Sequence, residues 1–301
     1  EPAGFQPTRE QWCRLVDLAS SYFASDKQDS GSGQLDKVVL SREARFRLKG
    51  QLSPWALMDA LQKANPCSYN FLFTSRSEKR EVFLGCSPER LIKRQDRIVK
   101  TEALAGTSRR GKDRHEDFQL EVLLMNDRKN IHENRLVLDD IRQQLTPLCE
   151  SLETDRCHSV LKLKTIQHLR YLVHGVLQEG IYDEQLIAAL HPTPAVGGTP
   201  RKRARAFIEA NEPYSRGLYA GACGVLGTQR SEFSVAIRSA RLTPDRLSLF
   251  SGAGIVRGSV ARDEWQELDN KIATAGDTLF RLQFGDRTPK DSSDAVCRVH
   301  R

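Results

Sequence analysis

Residues 246–271, RLSLFSGAGIVRGSVARDEWQELDNK, read as a strand, a glycine-bent turn and a helix that starts near Arg262. On that helix Glu264, Glu267 and Lys271 stand three and then four positions apart, which stacks them on one face. Two carboxylates and an ammonium beside glycines, where backbone can approach a ligand closely, suit a metal ion and an acidic substrate. The same spacing also describes a solvated helix face carrying an i,i+4 Glu–Lys pair. The rest of the chain weighs between the two.

At 301 residues the chain is long enough for one large or two ordinary domains with a buried core. Hydrophobic residues at 39% and charged residues at 28% describe a folded soluble protein rather than a disordered one. No apolar run approaches the roughly 20 residues that span a bilayer, so no membrane association is expected. The polar start, EPAGFQPTREQW, lacks the apolar core of a signal peptide. Seven cysteines (13, 67, 86, 149, 157, 223 and 297) form no Cys-x-x-Cys pair. Their odd number argues against a disulfide framework, their spacing against zinc, and both fit a reducing cytoplasm. A net charge of +7 favours an anionic partner. The basic residues are interleaved with acids, and the densest run, Arg201–Arg205, reads as a solvated helix face. With no recognition-helix or aromatic-rich RNA-binding signature, a small anionic metabolite is the better partner than nucleic acid.

Upstream, Thr8-Arg9-Glu10-Gln11 has the form of a capping box and opens an amphipathic helix to Phe23, followed by a Gly/Ser-rich loop over Ser25–Asp36. Lys37 begins a strand running to Leu48, on the face of Val39 and Ser41 and opposite Val38, Leu40 and Arg42. Ser53-Pro54 caps a short helix to about Ala64. Tyr69–Thr74 and Glu81–Gly85 pair around a turn at Ser75–Lys79, and Pro88 then rigidly presents Glu89. After a hairpin at Gln95-Asp96, Thr101–Gly111 reads as a glycine-containing loop whose amides suit an anion. His115–Gln144 is helical with a break near Asn126–Asn130. Its His132-Glu133 pair invites a metalloprotease reading, which fails because position 136 is Leu, not a second His.

Val160–Thr165 reads as strand, Ile166–Leu177 as helix, His191–Pro200 as a rigid loop and Arg201–Ala210 as helix. Tyr219–Gly227, Phe233–Leu242 and Arg246–Ser251 read as an antiparallel meander, with Arg238 mid-strand, either solvated or holding a carboxylate. The polar tail after Phe284 reads as disordered. Gly252, Gly254 and Gly258 superficially suggest a dinucleotide loop, but their spacing is one residue off and no βαβ unit follows, so no nucleotide cofactor is expected.

Taken together and in order, KVVLSR, CSPERL, EALAGTSRRG, the helix around HENRLV, HPTPAVGGTPR, YSRGLYAGACG, AIRSARL, SGAGIVRGS and EWQELDNK resemble the chorismate-utilising enzymes, and within them the isochorismate synthases, over roughly Leu35 to Phe284. The resemblance implies an α/β (α+β) domain, residues 37–285, in which two large, mostly antiparallel sheets pack together with helices outside. Residues 1–36 are then an N-terminal helix and linker, the remnant of the longer segment that usually adds strands in that family, and 286–301 a disordered tail.

The roles that follow are those the resemblance implies. Glu133 and Glu267, with Glu264 beside them, look like the Mg²⁺ site that grips the substrate's ring carboxylate. Arg238, Tyr219 and Lys271 resemble the residues that hold the substrate's carboxylates, helped by the amides of Gly106 and Gly254, while His168 and Thr193 line the pocket. Lys37 resembles the base that activates water for attack at C2, and Glu89 the acid that protonates the departing C4 hydroxyl. Such chemistry needs an acid whose pKa is raised by burial and an amine that is at least partly neutral.

In relatives that use ammonia from a glutaminase partner that lysine is typically absent, so water as nucleophile and no glutaminase are expected here. The implied activity is an isomerase: a reversible, Mg²⁺-dependent isochorismate synthase, monomeric and cytoplasmic, serving menaquinone or a catechol siderophore. The alternatives are a salicylate synthase, an anthranilate- or aminodeoxychorismate-synthase-like subunit, an inactive member of the family, and, outside it, a basic nucleic-acid binder.

Overall fold

Strand alternation resolves into two seven-stranded sheets in the computed structural model, which describes residues 2–24, 34–74 and 81–284. The first sheet runs β1 (Pro2–Gln6), β2 (Lys37–Arg47), β14 (Arg246–Val256), β13 (Ser239–Leu242), β4 (Val82–Ser87) and β3 (Tyr69–Thr74), with β10 (Gly198–Thr199) also paired to β2. The second runs β11 (Ala222–Val225), β12 (Arg230–Val235), β5 (Arg90–Gln95), β6 (Ile98–Arg109), β9 (Ile166–Leu177) and β7 (Cys149–Thr154), with β8 (Ser159–Lys162) on β9. All these pairings are antiparallel. The helices are α1 (Arg9–Ala24), α2 (Pro54–Ala64), α3 (Arg114–Asn126), α4 (Arg128–Leu145), α5 (Asp183–Leu190), α6 (Arg201–Asn211) and α7 (Ala261–Phe284). Among the described residues no helix is long and apolar enough to cross a membrane.

Helix starts follow local chemistry. Gln11 N–H donates to Thr8 Oγ1 while Thr8 N–H donates to Gln11 Oε1, closing the capping box that opens α1. Ser53 caps α2, and Asp127 both ends α3 and caps α4 by accepting from Asn130 N–H at 2.7 Å. The two faces of β2 separate as its alternation requires. Val38 and Leu40 pack with Trp12 of α1 and Trp265 and Leu268 of α7, whereas Lys37 and Val39 turn to the opposite side. Buried Arg42 lies 4.7 Å from the Phe5 ring and 4.2 Å from the Trp265 ring, with its guanidinium 2.7 Å from Asp269, and so fastens α7 to β1 and β2. Residues 2–24 are thus integral to the first sheet and its core. The larger core joins Phe83 and Phe250 of the first sheet to Leu91, Val173 and Val235 of the second and to Val137, Leu138 and Ile141 of α4.

Three expectations need correction. Ile166–Leu177 is a strand, not a helix. It is interior to its sheet and buried along most of its length, so its apolar residues show no clean period of two. Its Gly175 has no room for a side chain, since a Cβ would meet Cys149 Sγ at 2.8 Å. Thr101–Gly111 is mostly strand β6, and its glycine marks a bulge: the register shifts between Ala105 and Thr107, with Gly106 at φ +77°. The supposed meander is two hairpins in different sheets. The chain crosses from β12 to β13 through Ala236–Arg238, so Arg238 stands at a left-handed corner (φ +52°) and not mid-strand. Most of the Ser25–Asp36 loop, the Ser75–Lys79 turn, the 286–301 tail and Cys297 lie outside the described residues.

Candidate active site

The site begins with the register of β2 against β14, which sets Gly254 opposite Val39 and Val256 opposite Lys37. A Cβ at Gly254 would lie 2.1 Å from Glu133 Oε1 and 2.9 Å from Lys37 Cε, so the missing side chain is the space in which those two groups meet. Lys37 is fully buried with Nζ 3.0 Å from Glu133 Oε1, and it makes no well-formed hydrogen bond among the described residues. Burial pushes the Glu133 carboxyl up, but Lys37, Lys271 and Lys129 outweigh it and leave the group below its ordinary range.

The face read on α7 is real. Lys271 Nζ sits 2.5 Å from Glu267 Oε1 and donates to Gly252 O at 2.8 Å. Glu264 is buried and accepts from Lys129 of α4. Burial, then repulsion from Glu267, pushes its carboxyl up to about 7 against the pull of Lys129. Each of the three glutamates expected to bind metal therefore faces an ammonium. Among the described residues no three His, Cys, Asp or Glu side chains converge as a ligand cluster. Each carboxylate contacts its own lysine instead. The donor set still fits a hard divalent ion, because it is all oxygen and because Glu264, Glu133 and Glu267 all act on the one ammonium of Lys129.

Across the cleft, Glu89 follows Ser87-Pro88 and is buried, accepting from the Thr193 hydroxyl at 3.4 Å. Burial, reinforced by the charge of Glu102, pushes its carboxyl up to about 7, while Lys37, Thr193 and Lys271 oppose the rise. Glu102 is itself buried on β6, where it accepts from Arg90 N–H at 3.1 Å. Arg238 donates to Lys271 O at 2.8 Å and to His168 Nε2 at 3.3 Å, and no carboxylate among the described residues ion-pairs with it. Burial pulls the guanidinium down to about 10. Burial, then Arg238 and Lys271, hold His168 well below its ordinary range, so the ring is neutral, with Nδ1 3.1 Å from the Thr107 hydroxyl. Tyr219 stacks on Phe250 at 5.4 Å, and burial raises its phenol to about 12.

These groups line an open cleft whose wall includes Glu89, Gly106, Glu133, His168, Tyr219, Arg238, Gly254 and Lys271. Lys37 stands behind Glu133 and Thr193 behind Glu89, while Glu264 and Glu267 sit outside the wall on α7. Sequence reading missed Lys129, Glu102, Thr107 and Phe250. Lys129 alone carried a signal, since it precedes Glu133 by one helical turn on α4.

The family described as chorismate binding enzyme matches residues 6–279. The chain is 41% identical over 267 residues to the isochorismate synthase MenF of Escherichia coli, covering 89% of this chain and 59% of that protein. The solved structure of that menaquinone-specific enzyme superposes with a TM-score of 0.82 at 40% identity, over 91% of this chain and 61% of the other. A putative 2,3-dihydroxybenzoate-specific isochorismate synthase, DhbC, from Bacillus anthracis superposes with a TM-score of 0.84 at 30% identity, over 91% and 74%. The chain thus spans about three-fifths of the length of its E. coli relative.

Proposed function

The chain belongs to the chorismate-binding enzymes, and we propose that within them it is an isochorismate synthase, an isomerase that interconverts chorismate and isochorismate with Mg²⁺. The observation that carries this is one cleft walled by a buried acid poised at about 7 and by a half-buried guanidinium without a carboxylate partner among the described residues, with the buried Lys37 against its Glu133 wall.

Arg238 and Lys271 hold the substrate's carboxylates, and the stacked Tyr219 bounds the ring. Glu89, still substantially protonated near neutrality, gives its proton to the C4 oxygen as that hydroxyl leaves. Lys37 takes a proton from the water that adds at C2, which requires its contact with Glu133 to open. Glu133, Glu264 and Glu267 would hold Mg²⁺, which would supply Lewis-acid anchoring of the ring carboxylate. With water as nucleophile the reaction needs no glutaminase. The product suits menaquinone or catechol siderophore synthesis, and the free described cysteines suit a reducing compartment such as the cytoplasm.

Incubation with chorismate and Mg²⁺ followed by chromatography tests the reading. Isochorismate is the expected product. Salicylate with pyruvate would make it a salicylate synthase, and unchanged chorismate would end the proposal.

A further inference from the structure

Three lysines, Lys37, Lys129 and Lys271, face the three glutamates Glu133, Glu264 and Glu267. In formal charge the cluster is already neutral. A divalent cation added to it without rearrangement would set positive charge against positive charge, so at least one ammonium has to leave. The three are not held alike. Lys37 is enclosed, its side chain 1% exposed, and Lys271 at 15% is also tied to Gly252 O. Lys129 is 33% exposed and hydrogen-bonded to Glu264, and its flexible stem gives its ammonium a direct route to water. Its position is otherwise unfavourable, because it lies in the first turn of α4, where the helix dipole disfavours a cation. Attraction to Glu264, Glu133 and Glu267 together compensates.

We propose that Lys129 is a tethered counter-ion of the three-glutamate site, standing in for the divalent cation in the metal-free protein and displaced from Glu264 when that cation binds. The inference rests on the reading of those glutamates as metal ligands. Lys129 is then a positioning residue: it keeps Glu264 in place while the site waits and sets how tightly the metal is taken up.

Calorimetric titration of the wild type, K129M and K129R with Mg²⁺, paired with thermal melts in EDTA and in saturating Mg²⁺, tests it. Removing a competing charge at contact distance is expected to tighten Mg²⁺ binding in K129M by about tenfold or more. K129M should melt lower than wild type in EDTA, with the deficit closing in Mg²⁺, and K129R, which keeps the charge, should track the wild type. An unchanged affinity with the same loss of Tm in both conditions would make Lys129 a structural tie between α4 and α7 and overturn the proposal, as would weaker binding. A wild type that binds no Mg²⁺, or binds it equally after E267Q, would overturn the metal reading itself and the role of Lys129 with it.

Discussion

Two arginines, one inside the second sheet and one at the corner between the sheets, show how differently this molecule treats charge. Arg94 of β5 is bidentate to Asp183 at 2.7 and 2.6 Å, and it also donates to the carbonyls of Asp96 and Gly227 and to the Ser231 hydroxyl. Those hydrogen bonds, chiefly the pair to Asp183, raise its pKa and lower that of Asp183. Arg238, at the corner between the sheets, has one carbonyl and one neutral imidazole, and its pKa is driven the other way. A buried charge that is fully matched ties elements together, whereas one left short of an anion is kept for a ligand. The cleft extends the contrast, since Lys37 lacks a well-formed hydrogen bond and Glu89 is held half-protonated by burial and a like charge.

The contrast is sharpest where catalysis and stability separate. E89Q keeps the shape of the acid and removes its proton chemistry, so turnover should fall by about 10²–10⁴-fold while Tm holds or rises. R94M leaves Asp183 buried and unpaired, which should cost on the order of 3 kcal/mol in denaturant melts, with kcat per folded molecule unchanged. Steady-state rates and melts on both proteins check this; a catalytic defect in folded R94M would erase the distinction between the matched charge and the cleft. R238M sits between them. Losing the anion anchor should raise KM for chorismate by roughly ten- to a hundredfold, from the 1.5–3 kcal/mol typical of a charged hydrogen bond, without lowering Tm. A large loss of stability would mean that Arg238 is scaffold after all.

How much of this could be read from the chain follows from the same physics. The β14–α7 unit was legible because period-two alternation gives way to three-and-four spacing within one stretch, and the Lys37 face because alternation in β2 survives burial. β9 was not, because neighbours on both sides and cover on both faces leave an apolar run that a helix would also show. Gly106 was read as loop because glycine in a polar run signals a turn and a bulge alike. Glu102 is beyond sequence reading. Its effect on Glu89 needs the hairpin of β5 and β6 to fold it back on Arg90, a contact that no spacing rule anticipates.

The smallest effects test the electrostatics alone. Because the Glu89 carboxyl is raised from 4.5 to about 7, the folded protein binds its proton more tightly than the unfolded chain does. Its contribution therefore lowers stability as pH climbs through that window and is constant above it. The Tm advantage of E89Q over wild type should accordingly widen between about pH 5 and 8, and a flat difference would place the Glu89 pKa elsewhere. Activity that depends on the protonated acid should fall on the basic side of pH 7, and two neighbours should move that limb in opposite senses. E102Q removes a like charge, which eases ionisation of Glu89 and shifts the limb to lower pH. T193V removes a hydrogen bond to the carboxylate, which hinders ionisation and shifts it to higher pH. The charge outranks the hydrogen bond among the causes of the shift, so E102Q should move the limb further than T193V, with maximal rates within a few-fold of wild type in both. Profiles of kcat/KM against pH for the three proteins resolve it, and shifts in the same direction would mean that these side chains act on the cleft through packing rather than through the proton of Glu89.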